Sequence, residues 1–218
     1  HVQPPASEIQ ALMADLSIDK SGRSLRSKLN DADRAAYEAL VKKQGIPVEA
    51  FDPLEPWAIA VSLYALALGG SGFDPNLGVE AQLTAAAKVK NMPVSGLETM
   101  RGQLTIFDQL SETVQLGYLN QTVATIDQVG AQTDALVDHW SKPDPEALAG
   151  LMNAGFSDPK LYEQLLTRRN ANWAVWIRDR MARPGTVFVA VGAGHLAGPV
   201  SVQQMLTAYG FATERVKY

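Results

Sequence analysis

The chain has 218 residues, enough for one domain of ordinary size, and its formal net charge of −4 at pH 7 argues against a general nucleic-acid binder. It contains no cysteine, which excludes disulfides, zinc–thiolate sites and cysteine nucleophiles within this sequence. Apolar residues make up 46% of the chain, so it can bury a sizeable core.

The first part of the chain is predicted to be helical. Ser7 and Gln10 have the spacing of a capping box, which predicts a helix near 8–16. Asn30 or Asp31 opens a second helix, and we expect it to stop at Gly45, where glycine takes the left-handed cap readily.

The most apolar segment of the sequence is 57–68 (WAIAVSLYALAL). It is well short of the ~20 residues that a bilayer-spanning helix needs, so we expect a buried core helix. If Ile59, Leu63 and Leu66 were exposed instead, they would form an apolar patch of the kind that contacts a partner.

The second half also carries helix signals. Asp-Pro pairs at 144/145 and 158/159 each predict a helix start, because Asp is a good N-cap and Pro suits the first helical position. The segment 159–183 predicts one long helix. Its expected inward stripe consists of Tyr162, Leu166, Arg169, Trp173, Trp176 and Arg180.

Three segments are candidate strands: 186–191 (TVFVAV), which reads as a strand covered on both faces, and the weaker 93–98 and 211–216. Long helical stretches separate them, so we expect a helix-rich α/β fold with a small, mostly parallel sheet. No composition shift marks a second domain, and we expect a single domain over 1–218. Three strands are few for so much helix, so we also expect strands that precede residue 1.

The sharpest local signal is the glycine-rich turn that contains His195 (VGAGHLAGP, 191–199). It directly follows the best strand candidate, at the end of a strand where open α/β sheets bind ligands. Gly192 and Gly194 allow the backbone to approach a ligand closely. The imidazole of His195 can then serve as a metal ligand or a general base, or it can simply pack in a tight turn.

Two carboxylates and one guanidinium are further site candidates. Glu98 ends the 93–98 strand candidate, so Glu98 and His195 can share one crevice and bind a divalent cation. Glu80 is a second candidate ligand, although both acids also suit the first turn of a helix. Arg169 lies on the stripe with Trp173, and an inward arginine needs an anionic partner, either a buried carboxylate or a substrate.

Several segments together resemble the TraB/GumN family, whose animal relatives are the Tiki proteases. They are 54–57 (LEPW), 73–80 (FDPNLGVE), 93–99 (PVSGLET), 169–173 (RNANW) and 188–199 (FVAVGAGHLAGP), and they occur in the family's order. The resemblance implies a site built on two Gly-x-x-His motifs, supported by an acid and an arginine. The second motif matches Gly192 and His195. The first has no complete counterpart here, since no glycine precedes His1, so the chain resembles the C-terminal three-quarters of a family member.

The resemblance implies a metal-dependent hydrolase, possibly acting on peptides. His195 would be a ligand or base, Glu98 or Glu80 a ligand or general base, and Arg169 an oxyanion or substrate clamp. A divalent metal (Mn, Co or Zn) would be the cofactor. The resemblance further implies an export signal and a periplasmic or secreted location.

Two other classes of function stay open at this point. One is a binding protein for haem or another small ligand on the same scaffold, and the other is a non-catalytic factor in polysaccharide export. We expect no nucleic-acid partner and no membrane span, and homo-oligomers are possible.

Overall fold

The computed structural model describes residues 5–70, 72, 74, 77–142, 144–155 and 158–216. Over these residues the regular structure is helical. The α-helices are α1 (Ala6–Ser17), α2 (Leu25–Lys28), α3 (Asp31–Lys43), α4 (Pro56–Gly70), α5 (Val79–Val89), α6 (Met100–Asp108), α7 (Glu112–Thr125), α8 (Val129–Trp140), α9 (Pro145–Ala154), α10 (Pro159–Tyr162), α11 (Arg168–Met181) and α12 (Val202–Thr207). Short 3₁₀ turns occupy Ile126–Gln128 and Ala193–His195.

The expected α/β fold with a mostly parallel sheet is wrong. The described residues form no β-strand, and the one bridge between them is an isolated antiparallel pair, Ile18 with Leu54. The segment 186–191 has no regular structure, and Phe188 is 74% exposed rather than covered on both faces. A strand is held by hydrogen bonds to a neighbouring strand, and no second strand lies beside this segment in the part of the chain described.

The two weaker strand candidates are also wrong. The segment 93–98 is a mostly exposed turn that leads into α6, and 211–216 is an irregular and largely exposed end. β-Branched and apolar composition indicates only that a segment fits a pleated surface, and it does not supply the partner strand.

The described residues fall into two compact units, His1–Ala131 and Gln132–Tyr218, called here the first and second unit, with the boundary inside α8. The core of the first unit brings together side chains from α2, α3, α4, α7 and the start of α8. These buried residues are Leu25, Leu29, Tyr37, Leu40, Val41, Ile59, Ala60, Leu63, Leu119, Ile126 and Val129.

Local signals position these helices well. Asn30 caps α3, its side chain accepting from the backbone N–H of Asp33, and Gly45 follows the helix with a φ of +71°. Asp144 and Asp158 cap α9 and α10 in the same way, each followed by proline. The predicted helix near 8–16 is present as α1, but the predicted capping box is wrong, because α1 begins at Ala6 after Pro5 and no side chain caps it.

The apolar segment 57–68 forms most of α4, as expected, but only its first part is fully buried. Ile59 and Leu63 are buried, whereas Leu66 is 50% exposed and Tyr64 is also exposed. Among the residues described, we find no helix that is long and apolar enough to cross a membrane.

In the second unit, the predicted long helix is present but contains a π-helical turn. Helix α10 continues through that turn, Glu163–Thr167, into α11. Leu161 and Leu166 are both buried although they are five residues apart, because the wider turn shifts the inward face. Trp173 is buried, as the stripe predicts, while Trp176, which the stripe also placed inward, is 37% exposed.

Candidate functional site

His195 lies at the end of a one-turn 3₁₀ helix in the second unit. Its backbone N–H donates to the carbonyl of Gly192 (2.9 Å), and the N–H of Leu196 donates to that of Ala193 (2.9 Å). The imidazole is half-buried. This tight turn presents the histidine ring to α11, so the ring's position is set by the loop backbone.

The His195 ring is hydrogen-bonded to a buried amide on α11. Nδ1 of His195 lies 2.6 Å from Oδ1 of Asn170, and Nδ2 of Asn170 donates to the backbone carbonyl of Val200 (2.7 Å). Asn170 is fully buried. The Asn170 side chain therefore contacts both the imidazole of His195 and the backbone of the loop that carries this histidine.

Arg169 and His195 meet on the same tryptophan. The guanidinium carbon of Arg169 lies 4.9 Å from the centre of the Trp173 ring, within the range of a cation–π contact. The imidazole packs on that indole at 4.5 Å between ring centres. Arg169 also donates through Nη1 to the carbonyl of Leu165 (3.1 Å). Arg169, which was predicted to point inward or into a cleft, thus shares the Trp173 indole with His195.

Two further side chains form hydrogen bonds to the backbone of the loop that carries His195. Glu146 of α9 accepts from the backbone N–H of Gly198 (3.1 Å), a residue with a φ of +80° that favours glycine. Gln203 of α12 donates to the carbonyl of Leu196 (2.8 Å). Together with Asn170, they fix the loop from three helices.

Gly192 and Gly194, expected to let a ligand approach, have different environments. Gly192 caps the 3₁₀ turn and is exposed. Gly194 is buried, and a Cβ added there would come within 3.3 Å of the Met152 side chain. Gly194 therefore packs closely against α9, and a larger residue at this position would have to displace the end of the Met152 side chain.

The candidate acids Glu98 and Glu80 belong to the first unit. Glu98 is half-buried and precedes Thr99, the N-cap of α6, and it accepts a hydrogen bond from Gln103 (2.9 Å). Glu80 is exposed in the first turn of α5. Both acids thus stand at helix starts. Phe73, Pro75 and Asn76 of the 73–80 segment, and His1, lie outside the described residues.

Sequence reasoning did not single out Asn170. The available signal was a polar residue inside the helical stripe, one position after Arg169 and three before Trp173. The stripe assigned position 169 rather than position 170 to the inward face, whereas Asn170 is the residue that is fully buried.

The donor set for a metal is small. Within the described residues no group of three or more His, Asp or Glu side chains is placed to hold a metal ion, and the cluster around His195 supplies one imidazole. These residues by themselves do not fit a complete divalent-metal site, for which three protein ligands are usual in catalytic zinc centres.

A family model describes the chain over nearly its whole length. Residues 2–215 match the TraB/PrgY/gumN family, and the chain belongs to that family. The predicted resemblance is confirmed.

Curated relatives share about a quarter of their residues with the chain. It is 28% identical over 185 residues to the "Uncharacterized protein YbaP" of Escherichia coli strain K12, covering 84% of this chain and 68% of the relative. The YbaP of Shigella flexneri gives the same values. An "Uncharacterized protein" of Treponema pallidum is 24% identical over 187 residues, covering 80% of this chain and 56% of the relative. No solved structure is significantly similar.

Proposed function

We propose that the second unit carries the histidine and the arginine of a hydrolase site that acts on peptides or other acyl compounds. The observation that carries this proposal is the shared indole of Trp173, which the Arg169 guanidinium and the His195 imidazole both contact. Hydrolysis of an acyl bond needs both types of group, one to move a proton and one to stabilise negative charge.

In the proposed reaction, His195 takes a proton from a water molecule as the water oxygen bonds to the substrate carbonyl carbon. Arg169 stabilises the resulting oxyanion. The bond to the leaving amine or alkoxide then breaks, and His195 returns the proton to that group. The helix and loop contacts of the cluster support this role, because they hold the two side chains in a fixed arrangement before substrate binds.

A divalent metal (Mn, Co or Zn) is the proposed cofactor, and metal titration tests it. The described residues do not form a complete metal site, so the proposed reaction uses only His195, Arg169 and water. Glu98 and Glu80 lie in the first unit, and the proposed reaction does not use them.

The test is a panel of fluorogenic peptides and esters, assayed with and without added Mn²⁺, Co²⁺ or Zn²⁺. We expect His195→Ala to abolish hydrolysis and Arg169→Ala to lower kcat/KM about 10²- to 10³-fold, as the loss of an oxyanion donor does. Arg168→Ala is the matched control. Arg168 is the preceding residue, exposed and paired with Glu163, so this variant should retain full activity.

Two results would contradict the proposal. Hydrolysis that survives in His195→Ala would indicate another site or a contaminating enzyme. Absence of hydrolysis across the panel, together with a Soret band on titration with haem that His195→Ala abolishes, would favour the binding-protein class. Isothermal titration with each metal, on the natural chain and on His195→Ala, determines whether His195 is a metal ligand.

A further inference from the structure

We propose that Asn170 is a positioning residue that holds His195 in the Nδ1–H tautomer, so that the ring reacts through Nε2. Asn170 is fully buried within α11, where an amide is costly unless its polar atoms are hydrogen-bonded. Both ends of the amide have partners in the loop that carries His195.

The orientation of the amide follows from its second partner. The carbonyl of Val200 can only accept a hydrogen bond, so the atom 2.7 Å from it must be the NH₂ nitrogen of Asn170. A flipped amide would place two oxygens against each other at that distance. Oδ1 of Asn170 therefore faces the imidazole.

The tautomer of the imidazole follows from the orientation of the amide. Oδ1 is an acceptor without a hydrogen, and it lies 2.6 Å from Nδ1 of His195. Nδ1 must then carry the proton, and in the neutral ring the lone pair belongs to Nε2. This is the arrangement in which an outer partner fixes the nitrogen that binds a metal or accepts a proton.

The consequence for reactivity rests on the proposed function, but the tautomer does not. If Nε2 of His195 is the base or a metal ligand, loss of the Asn170 amide should cost about 10- to 100-fold in kcat/KM or metal affinity. A structural role alone would affect stability without selecting one ring nitrogen.

The experiment is ¹⁵N NMR of the histidine ring nitrogens in the ¹⁵N-labelled full chain, at a pH where the ring is neutral. His195→Ala assigns the signals. The natural chain is compared with Asn170→Ala and with Asn170→Asp, which keeps an acceptor oxygen beside Nδ1 but loses the donor to the Val200 carbonyl. Asn172→Ala is the matched control, since Asn172 is an exposed asparagine on the same helix.

We expect a protonated Nδ1 and an unprotonated Nε2 in the natural chain, in Asn170→Asp and in Asn172→Ala. In Asn170→Ala we expect a mixture with a large share of the Nε2–H form. An Nε2–H ring in the natural chain, or an unchanged Nδ1–H ring in Asn170→Ala, would overturn the proposal. If Asn170→Ala does not fold, the ring of the natural chain decides: Nδ1–H supports the proposal and Nε2–H overturns it.

These results are separate from the hydrolase test. An Nδ1–H ring in a chain without hydrolytic activity would leave this inference standing and remove the proposed function. An Nε2–H ring in an active enzyme that depends on His195 would do the reverse.

Discussion

A buried ion pair in the first unit joins the end of α2 to the loop after α1. The side chain of Lys28 is 1% exposed and that of Asp19 is 3% exposed, and the two are in direct contact. Glu112 approaches the same ammonium group at 3.2 Å. Burial lowers the pKa of Lys28, but hydrogen bonds to Asp19 and Glu112 outweigh it and raise the pKa overall. Both groups are therefore charged in the folded chain.

Replacing Lys28 should be strongly destabilising, because it leaves the Asp19 carboxylate buried without its cation. We expect Lys28→Met to lower the free energy of unfolding by about 3–5 kcal/mol in urea denaturation at pH 7. Lys20→Met is the control. Lys20 is exposed, and a surface change of this kind should stay within about 0.5 kcal/mol.

A double variant separates the cost of a stranded charge from the value of the pair. Replacing a buried pair by apolar side chains of similar volume is often neutral, so Asp19→Leu/Lys28→Met should be more stable than Lys28→Met alone. A double variant that is less stable than the single one would contradict this account.

At the scale of helices, the start of α4 depends on one buried amide. The backbone N–H of Trp57 donates to Oε1 of Gln115 (3.4 Å), and Nε2 of Gln115 donates to the carbonyl of Leu110 (3.0 Å). The first N–H groups of a helix have no partner inside it. Gln115 thus supplies a hydrogen-bond acceptor to the start of α4 and a donor to a backbone carbonyl in the turn between α6 and α7.

We expect Gln115→Met to destabilise the chain by about 1–3 kcal/mol, because similar packing is kept while buried backbone groups lose their partners. Thermal and urea unfolding of this variant and of Gln109→Met would measure it. Gln109 is an exposed glutamine at the end of α6, and its replacement should have little effect. Equal effects of the two changes would show that the buried amide is unimportant.

The starts of α3, α9 and α10 were predictable from sequence because their signals are local. Asn30, Asp144 and Asp158 each satisfy a backbone N–H two or three residues ahead, and this needs nothing from the rest of the chain. The segment 186–191 was not predictable in this way. Its composition suits a strand, but a strand exists only where a partner pairs with it.

The candidate site was partly predictable for the same reason. His195 stood out because glycines surround it, and Arg169 because it shares a helical stripe with Trp173. The contact of Asn170 with His195 joins residues 25 positions apart. The spacing of residues within one helix does not reveal a contact of this kind.

For the molecule as a whole, carboxylates with shifted pKa values affect the pH dependence of stability in opposite directions. The hydrogen bond from Arg26 lowers the pKa of Asp52, and Asp19 is also lowered, because its bonds to Lys28 and Ser21 outweigh burial. These two groups stabilise the fold at neutral pH, and their contribution is lost as the pH falls through their depressed folded values, below about 4. Burial raises the pKa of Glu55, so its contribution is present below the ordinary glutamate pKa and is lost as the pH rises from there through the raised folded pKa.

Stability should therefore fall as the pH drops below about 4, and ionisation of Glu55 should lower it as the pH rises above the ordinary glutamate pKa. Urea denaturation at intervals from pH 3 to pH 7 would measure the profile. We expect Asp52→Asn to weaken the loss of stability below pH 4, because position 52 then has no carboxylate whose ionisation Arg26 favours. The same change should lower the stability at pH 7, because the ion pair with Arg26 is lost. Glu55→Gln should raise the stability at pH 7 relative to pH 4, since no carboxylate then has to ionise in a half-buried place. An acid limb of unchanged steepness in Asp52→Asn would assign the acid sensitivity to other carboxylates.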